Sequence, residues 1–138
     1  MKNANSFIIC LLLILLWSCN DLGTSTNSII NNYDDCGIEN GDNSTCVNYS
    51  TEIQPIFDSD CVSCHGNGGG LDLTSYQNLM SGGNSGSSIQ PGNAINSFLI
   101  NKLRGTGSGD QMPIGYPPLS ESIIQLIETW INEGALDN

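Results

Sequence analysis

Positive charge is nearly missing from this chain of 138 residues. Three Lys/Arg stand against fourteen Asp/Glu, for a formal net charge of −11. Such a surface repels phosphate backbones, which argues against nucleic-acid binding and favours partners with basic patches. Histidine is rarer still: His65 is the only one, so two imidazoles from this chain cannot share a ligand. No run approaches the roughly 20 apolar residues that a bilayer-spanning helix needs. The longest, "FIICLLLILLW" from Phe7 to Trp17, has eleven. Strand-like alternation never lasts beyond a few residues, so the sequence predicts an all-α fold.

The apolar run follows Lys2 and has the length of a signal-peptide core. "LWSC" after it resembles the lipobox of bacterial lipoproteins, with Cys19 as the lipidated first mature residue. Trp17 departs from the small or aliphatic residue usual at its position, and a plain signal peptide cut nearby is the alternative. Residues 1–18 are thus expected to be a signal peptide. Its removal takes Lys2 and changes −11 to −12, since no acidic residue precedes Asp21. The product is expected outside the cytoplasm, in the bacterial periplasm or at the cell surface, held to a membrane by lipid.

Residues 19–49 are poor in large apolar side chains and rich in Asn, Ser, Thr, Asp and Gly. That composition predicts a flexible tether. Within it, "DDCGIENGDNSTC" resembles short cysteine-containing modules of secreted bacterial proteins with the pattern DCGxCxGDNSxC. Glu39 stands where their middle cysteine would be, which leaves Cys36 and Cys46 as a pair. Oxidising conditions favour a disulfide between them; two free thiols are the alternative. The carboxylates nearby lack the spacing of a calcium-binding EF-hand.

Residues 50–138 are expected to form the folded domain. "STEIQPIFDSDCVSCH" spaces Ile53, Ile56, Phe57 and Cys61 helically, with Ser50 or Thr51 as cap and Pro55 in the first turn. A short helix is predicted over Thr74–Met80, stopped by Gly82 and Gly83. "AINSFLINKLRG" predicts another, with Ile95, Phe98, Leu99 and Leu103 on one side. "LSESIIQLIETWINEGA" gives the clearest, with Ser120 as N-cap, Glu121 in the first turn and Gly134 at the C-terminal end. Its apolar stripe is Ile123, Ile124, Ile127, Trp130 and Ile131. A core this small generally needs a staple.

"CVSCH" at residues 61–65 supplies one. Cys-x-x-Cys-His is the attachment signature of c-type haem. Two thiols three positions apart on a helical turn, Cys61 and Cys64, face the same way and can form thioethers with one porphyrin edge. The next residue, His65, then lies beneath the iron as proximal ligand. The alternatives are weaker. A thioredoxin-like dithiol needs a βαβ framework. Zinc on Cys36, Cys46, Cys61 and Cys64 would have irregular spacing and no use for His65. A Cys61–Cys64 disulfide would leave the histidine unexplained. Gly66, Gly68, Gly69 and Gly70 lack the Lys-Ser/Thr of a phosphate loop, and are read as letting the backbone turn tightly past the porphyrin edge.

A sixth iron ligand would be a methionine, and Met80 and Met112 are the two in the predicted domain. Met112 lies in a loop and precedes Pro113. From about residue 51 to 135 the chain resembles small mono-haem class I cytochromes c, and among them the planctomycete-type cytochrome c domain of exported bacterial proteins. The pieces are "IQPIFDSDCVSCHG", "GLDLTSY", "SFLINKLRG", "MPIGYPPLS" and "IIQLIETWINEGA". The resemblance implies short helices around one covalent haem c, Met112 as the distal ligand, and crossing first and last helices with Phe57 near Trp130. Met80 as the ligand, though read mainly as core packing after Leu79, and an open or water-ligated iron remain the alternatives.

The expected function is one-electron transfer between redox proteins, without catalysis, since His65 and Met112 would fill both axial positions. Phe57, Leu71, Tyr76, Phe98, Leu99 and Trp130 are expected to shield the iron from water. The alternatives are a small-gas sensor with a displaceable Met112, and a haem domain of structural or interaction role. A peroxidase is disfavoured because its relatives usually carry two haem motifs.

Overall fold

A computed structural model describes residues 33–138 apart from 67 and 69. The signal peptide, Cys19 and the first part of the tether lie outside the described residues. No described helix is long and apolar enough to cross a membrane.

The described residues are helical, with only two isolated β-bridges and no strand. A π-turn over Tyr49–Ile53 runs into α1 (Gln54–Asp60), followed by α2 (Val62–His65), α3 (Tyr76–Ser81), a 3-10 turn at Ala94–Asn96, α4 (Phe98–Arg104) and α5 (Glu121–Asn132). The all-α expectation holds. The entry cap is Asn48 rather than Ser50 or Thr51: its side chain accepts from the Thr51 amide at 2.9 Å. Pro55 sits in the first turn of α1, where no amide is needed.

The element predicted across residues 94–104 is broken at Ser97. The Ser97 hydroxyl accepts the Gln90 amide at 2.8 Å and donates to the Asn93 carbonyl. A 3-10 turn precedes the break and an α-helix follows it, so the two have different rotational phase. Ile95, expected inward, is 79% exposed, while Ile100 is buried beside Leu99 and Leu103.

Helix α5 matches its prediction closely. Ser120 caps it by accepting the Ile123 amide, and Ile124, Ile127, Trp130 and Ile131 are buried. It packs on the Tyr49–Ile53 turn, the 3-10 turn and α4. Phe57 and Trp130 are fully buried in the same apolar cluster. The ring neighbours of Trp130 are Tyr49 at 5.2 Å and Tyr76 at 6.5 Å. Each polar tip finds a partner. The Trp130 indole donates to the Leu136 carbonyl and the Tyr76 hydroxyl to the Ala135 carbonyl, both at 2.9 Å. Burial raises the Tyr49 phenol well above its ordinary pKa, helped by Asp137 and Asp58.

Residues 33–49, expected as flexible tether, are folded with the rest of the described chain. The Asp34 carboxylate accepts from the amides of Cys36, Ile38 and Asn43. Cys36 and Cys46 form a disulfide with a Cα–Cα distance of 5.8 Å. Cys46 and Val47 are already buried. The Val47 amide donates to Glu133 at 2.9 Å and the Tyr49 amide to the Asn138 side chain at 2.7 Å. The compositional reading failed because short polar side chains order this segment through backbone hydrogen bonds, which need no large apolar surface.

Candidate functional site

Helix α1 ends at Phe57–Asp60 and the chain pauses at Cys61, whose φ/ψ of −127°/−42° breaks the spiral. The Cys61 carbonyl then accepts from the amides of Cys64 and His65 at 3.1 and 2.9 Å. All three residues of the signature therefore share one helical turn. Cys61 is half-buried and Cys64 exposed, and both are free thiols. Burial, then the nearby Asp60 and Cys64, pushes the Cys61 thiol up to about 11. It is a protonated thiol at neutral pH, unlike the activated thiolate of a redox dithiol. Cys36 and Cys46 are tied to each other, which removes them from the four-cysteine zinc set.

The His65 ring is fixed from behind. Its Nδ1 lies 3.2 Å from the Leu71 carbonyl oxygen. A carbonyl only accepts, so this bond requires the proton on Nδ1 and leaves the lone pair on Nε2. Buttressing of a ligating imidazole by a carbonyl is the usual outer-shell arrangement at a metal. The Leu73 amide donates to the His65 carbonyl at 2.8 Å, which draws the following segment back onto the helix.

These residues border a cleft with two lobes. The first, about 400 Å³, is walled by Leu71, Leu73, Phe98, Leu99 and Leu103. The second, about 320 Å³, is walled by Cys64, Pro113, Ile114, Tyr116 and Leu119. Cys61, His65, Leu103 and Met112 line both. Both volumes fall in the range of cofactor sites, roughly 300–1,000 Å³. An apolar cleft with two thiols, one imidazole nitrogen and one thioether on its walls fits a covalently held porphyrin.

The backbone forms part of the first lobe. The Asn84 amide donates to the Gly70 carbonyl at 2.7 Å. A Cβ on Gly83 would stand 2.2 Å from that same oxygen, so the two segments approach this closely only because residue 83 is glycine. The sequence showed the glycines of the 66–70 stretch but not their partners at 82–86.

Of the predicted shielding residues, Leu71, Phe98 and Leu99 line the cleft. Phe57, Tyr76 and Trp130 do not line either lobe; they belong to the core cluster or pack against it. Apolar patterning identifies buried residues without saying which surface they bury. Met80 also packs against that cluster and lines neither lobe, whereas Met112 lines both. As cleft residues, Leu73, Leu103 and Lys102 were missed by sequence reasoning, which had placed Leu103 only on the apolar side of its helix. The signal for Lys102 was its place four residues after Phe98 and just before a glycine-rich loop.

Fold and site together define a class, the small all-α c-type cytochrome domain. More narrowly, residues 61–113 match the family model described as Planctomycete cytochrome C, and a cytochrome c domain implies haem c binding. The match includes Cys61, Cys64, His65 and Met112. Among solved structures, the chain is similar to Kuenenia stuttgartiensis hydrazine synthase, at 26% identity with a TM-score of 0.47. The similarity covers 64% of this chain and 16% of that one, so the chain spans a small part of that protein's length. No curated protein matches.

Proposed function

We propose that the protein is an exported, membrane-tethered cytochrome that carries single electrons on one covalent haem c. The carrying observation is the His65–Leu71 hydrogen bond, which orients the chain's one imidazole beside both signature thiols. Cys61 and Cys64 would add their S–H groups across two vinyl double bonds, forming two thioethers with no oxidant. His65 Nε2 would be the proximal ligand and Met112 the distal one. The haem supplies a one-electron couple when bound. The apolar walls from Leu71, Leu99 and Leu103 exclude water and favour the less charged, reduced state. With His65 and Met112 both holding the iron, the site would carry electrons rather than turn over a substrate. Tethering would come through Cys19. The acidic surface, including Asp60 at the second lobe, suits redox partners with basic patches.

The test is production in a host able to attach c-type haem. A haem that resists acidified organic extraction, with one haem mass on the peptide containing Cys61–His65, is expected. A colourless zinc protein would overturn the reading. The reduced spectrum should be unchanged by carbon monoxide; ready binding would replace the carrier by a gas-binding module.

A further inference from the structure

The loop that carries Met112 has little to hold itself in place. Residues 105–112, "GTGSGDQM", include three glycines and no large apolar side chain before Met112, a composition with high chain entropy. Its attachments run to the last turn of α4: Asn101 holds residues 106 and 107, and Lys102 holds the stretch from Ser108 to Met112. The Lys102 carbonyl accepts the Met112 amide at 2.9 Å. Its ammonium donates to the Ser108 carbonyl at 2.6 Å and the Asp110 carbonyl at 3.3 Å. The same nitrogen sits 5.4 Å from the Phe98 ring centroid, against a wall of the cleft. Gly109, at φ +77°, bends the chain between the two accepting carbonyls, and a Cβ there would stand 2.8 Å from Nζ. Gln111 adds one further tie, donating to the Leu103 carbonyl at 2.7 Å. Lys102 is also the one lysine or arginine lining either lobe.

We propose that Lys102 is a positioning residue that clamps the 105–112 loop and sets how readily the Met112 sulfur leaves its place at the cleft. A flexible loop alone would let a thioether exchange with water or small ligands. An ammonium tucked into the bend holds two carbonyls at once through charge-assisted bonds, which methionine, of similar length but with no donor, cannot make. The clamp rests on Met112 being the distal ligand, so the experiment separates the two ideas.

Holoprotein with Lys102→Met, Lys102→Arg or Met112→Ala is compared with wild type. Three quantities are read: the rate of carbon monoxide binding to the ferrous form, the sulfur-to-iron charge-transfer band of the ferric form, and backbone amide exchange. Loss of two charge-assisted hydrogen bonds should raise the carbon monoxide rate of Lys102→Met about tenfold and speed loop exchange alike. Lys102→Arg should recover much of both, and α5 amides should stay protected. Fast binding in Met112→Ala with wild-type behaviour in Lys102→Met would overturn the clamp. Wild-type behaviour in Met112→Ala would overturn the ligand assignment instead. Loop exchange alone then decides the clamp, acceleration in Lys102→Met supporting it and no change overturning it. If Lys102→Met fails to fold, Lys102→Leu, which also has no donor, is read by the same criteria.

Discussion

The two sides of this domain bury apolar groups in different ways. On the side of α5, Trp130, Tyr49 and Tyr76 close on one another, and their polar tips are met by the chain itself. On the side of α2, Leu71, Leu99, Leu103 and Met112 pack on the core and also line a cleft. The first side is a core specified by protein alone. The second is a half-core, whose complement in the proposed function is the porphyrin. Trp130, Tyr49 and Tyr76 close the side that the chain holds by itself, whereas the cleft walls are mainly aliphatic, with Phe98 and Tyr116 among them.

The hardest test of that contrast is Trp130→Ala. Removing the largest fully buried side chain should cost about 3–5 kcal/mol, read as a shift of the denaturant midpoint. Leu103→Ala, on the cleft side, should cost less, about 2 kcal/mol, because it widens an existing cleft more than it opens a sealed void. Equal losses from the two substitutions would break the comparison. The smallest effect concerns pH. Arg104 forks to Glu121 at 3.0 Å and also bonds Glu128, joining α4 to α5. Hydrogen bonds from Arg104, then Gln125, hold the Glu121 carboxyl below its ordinary 4.5. A depressed folded value contributes stability that is present above 4.5 and lost as pH falls through the folded value. Wild type should therefore lose stability more steeply than Arg104→Gln below pH 4.5, in thermal melts across an acid series. Parallel curves would show that this exposed pair is inert.

What could be read from the sequence followed from how local each signal is. Cys61, Cys64 and His65 were legible because the attachment chemistry requires them within one helical turn. Helix α5 was legible because its cap, stripe and terminal glycine agree. Met112 required the resemblance, since a loop residue's height over a cleft is set by distant hydrogen bonds such as that to the Lys102 carbonyl. The assignment of Phe57, Tyr76 and Trp130 to the cleft failed because hydrophobicity carries no direction. Ile95 was misplaced because Ser97 interrupts the helix and changes its phase. The folding of residues 33–49 was hidden because Asp34 and Asn43 order them through hydrogen bonds that composition does not count.

The ties between residues 47–50 and Asn138 have a consequence in time. Tyr49 and Val47 bond to a residue 89 and 91 positions further along, and the Ser50 amide donates to the Asn138 carbonyl. A chain made from its N-terminus has residues 61–65 in hand long before Asn138 exists. Trp130 likewise follows long after its ring partners Tyr49 and Tyr76. Until then the entry turn cannot seal against α5, and contacts of such long sequence separation form late in any case. The segment bearing the two thiols thus passes, as the chain emerges N-terminus first, through a period in which the domain around it is still open. In an exported chain, a covalent reaction that needs access to both sulfurs has its window between that emergence and the sealing of the entry turn against α5.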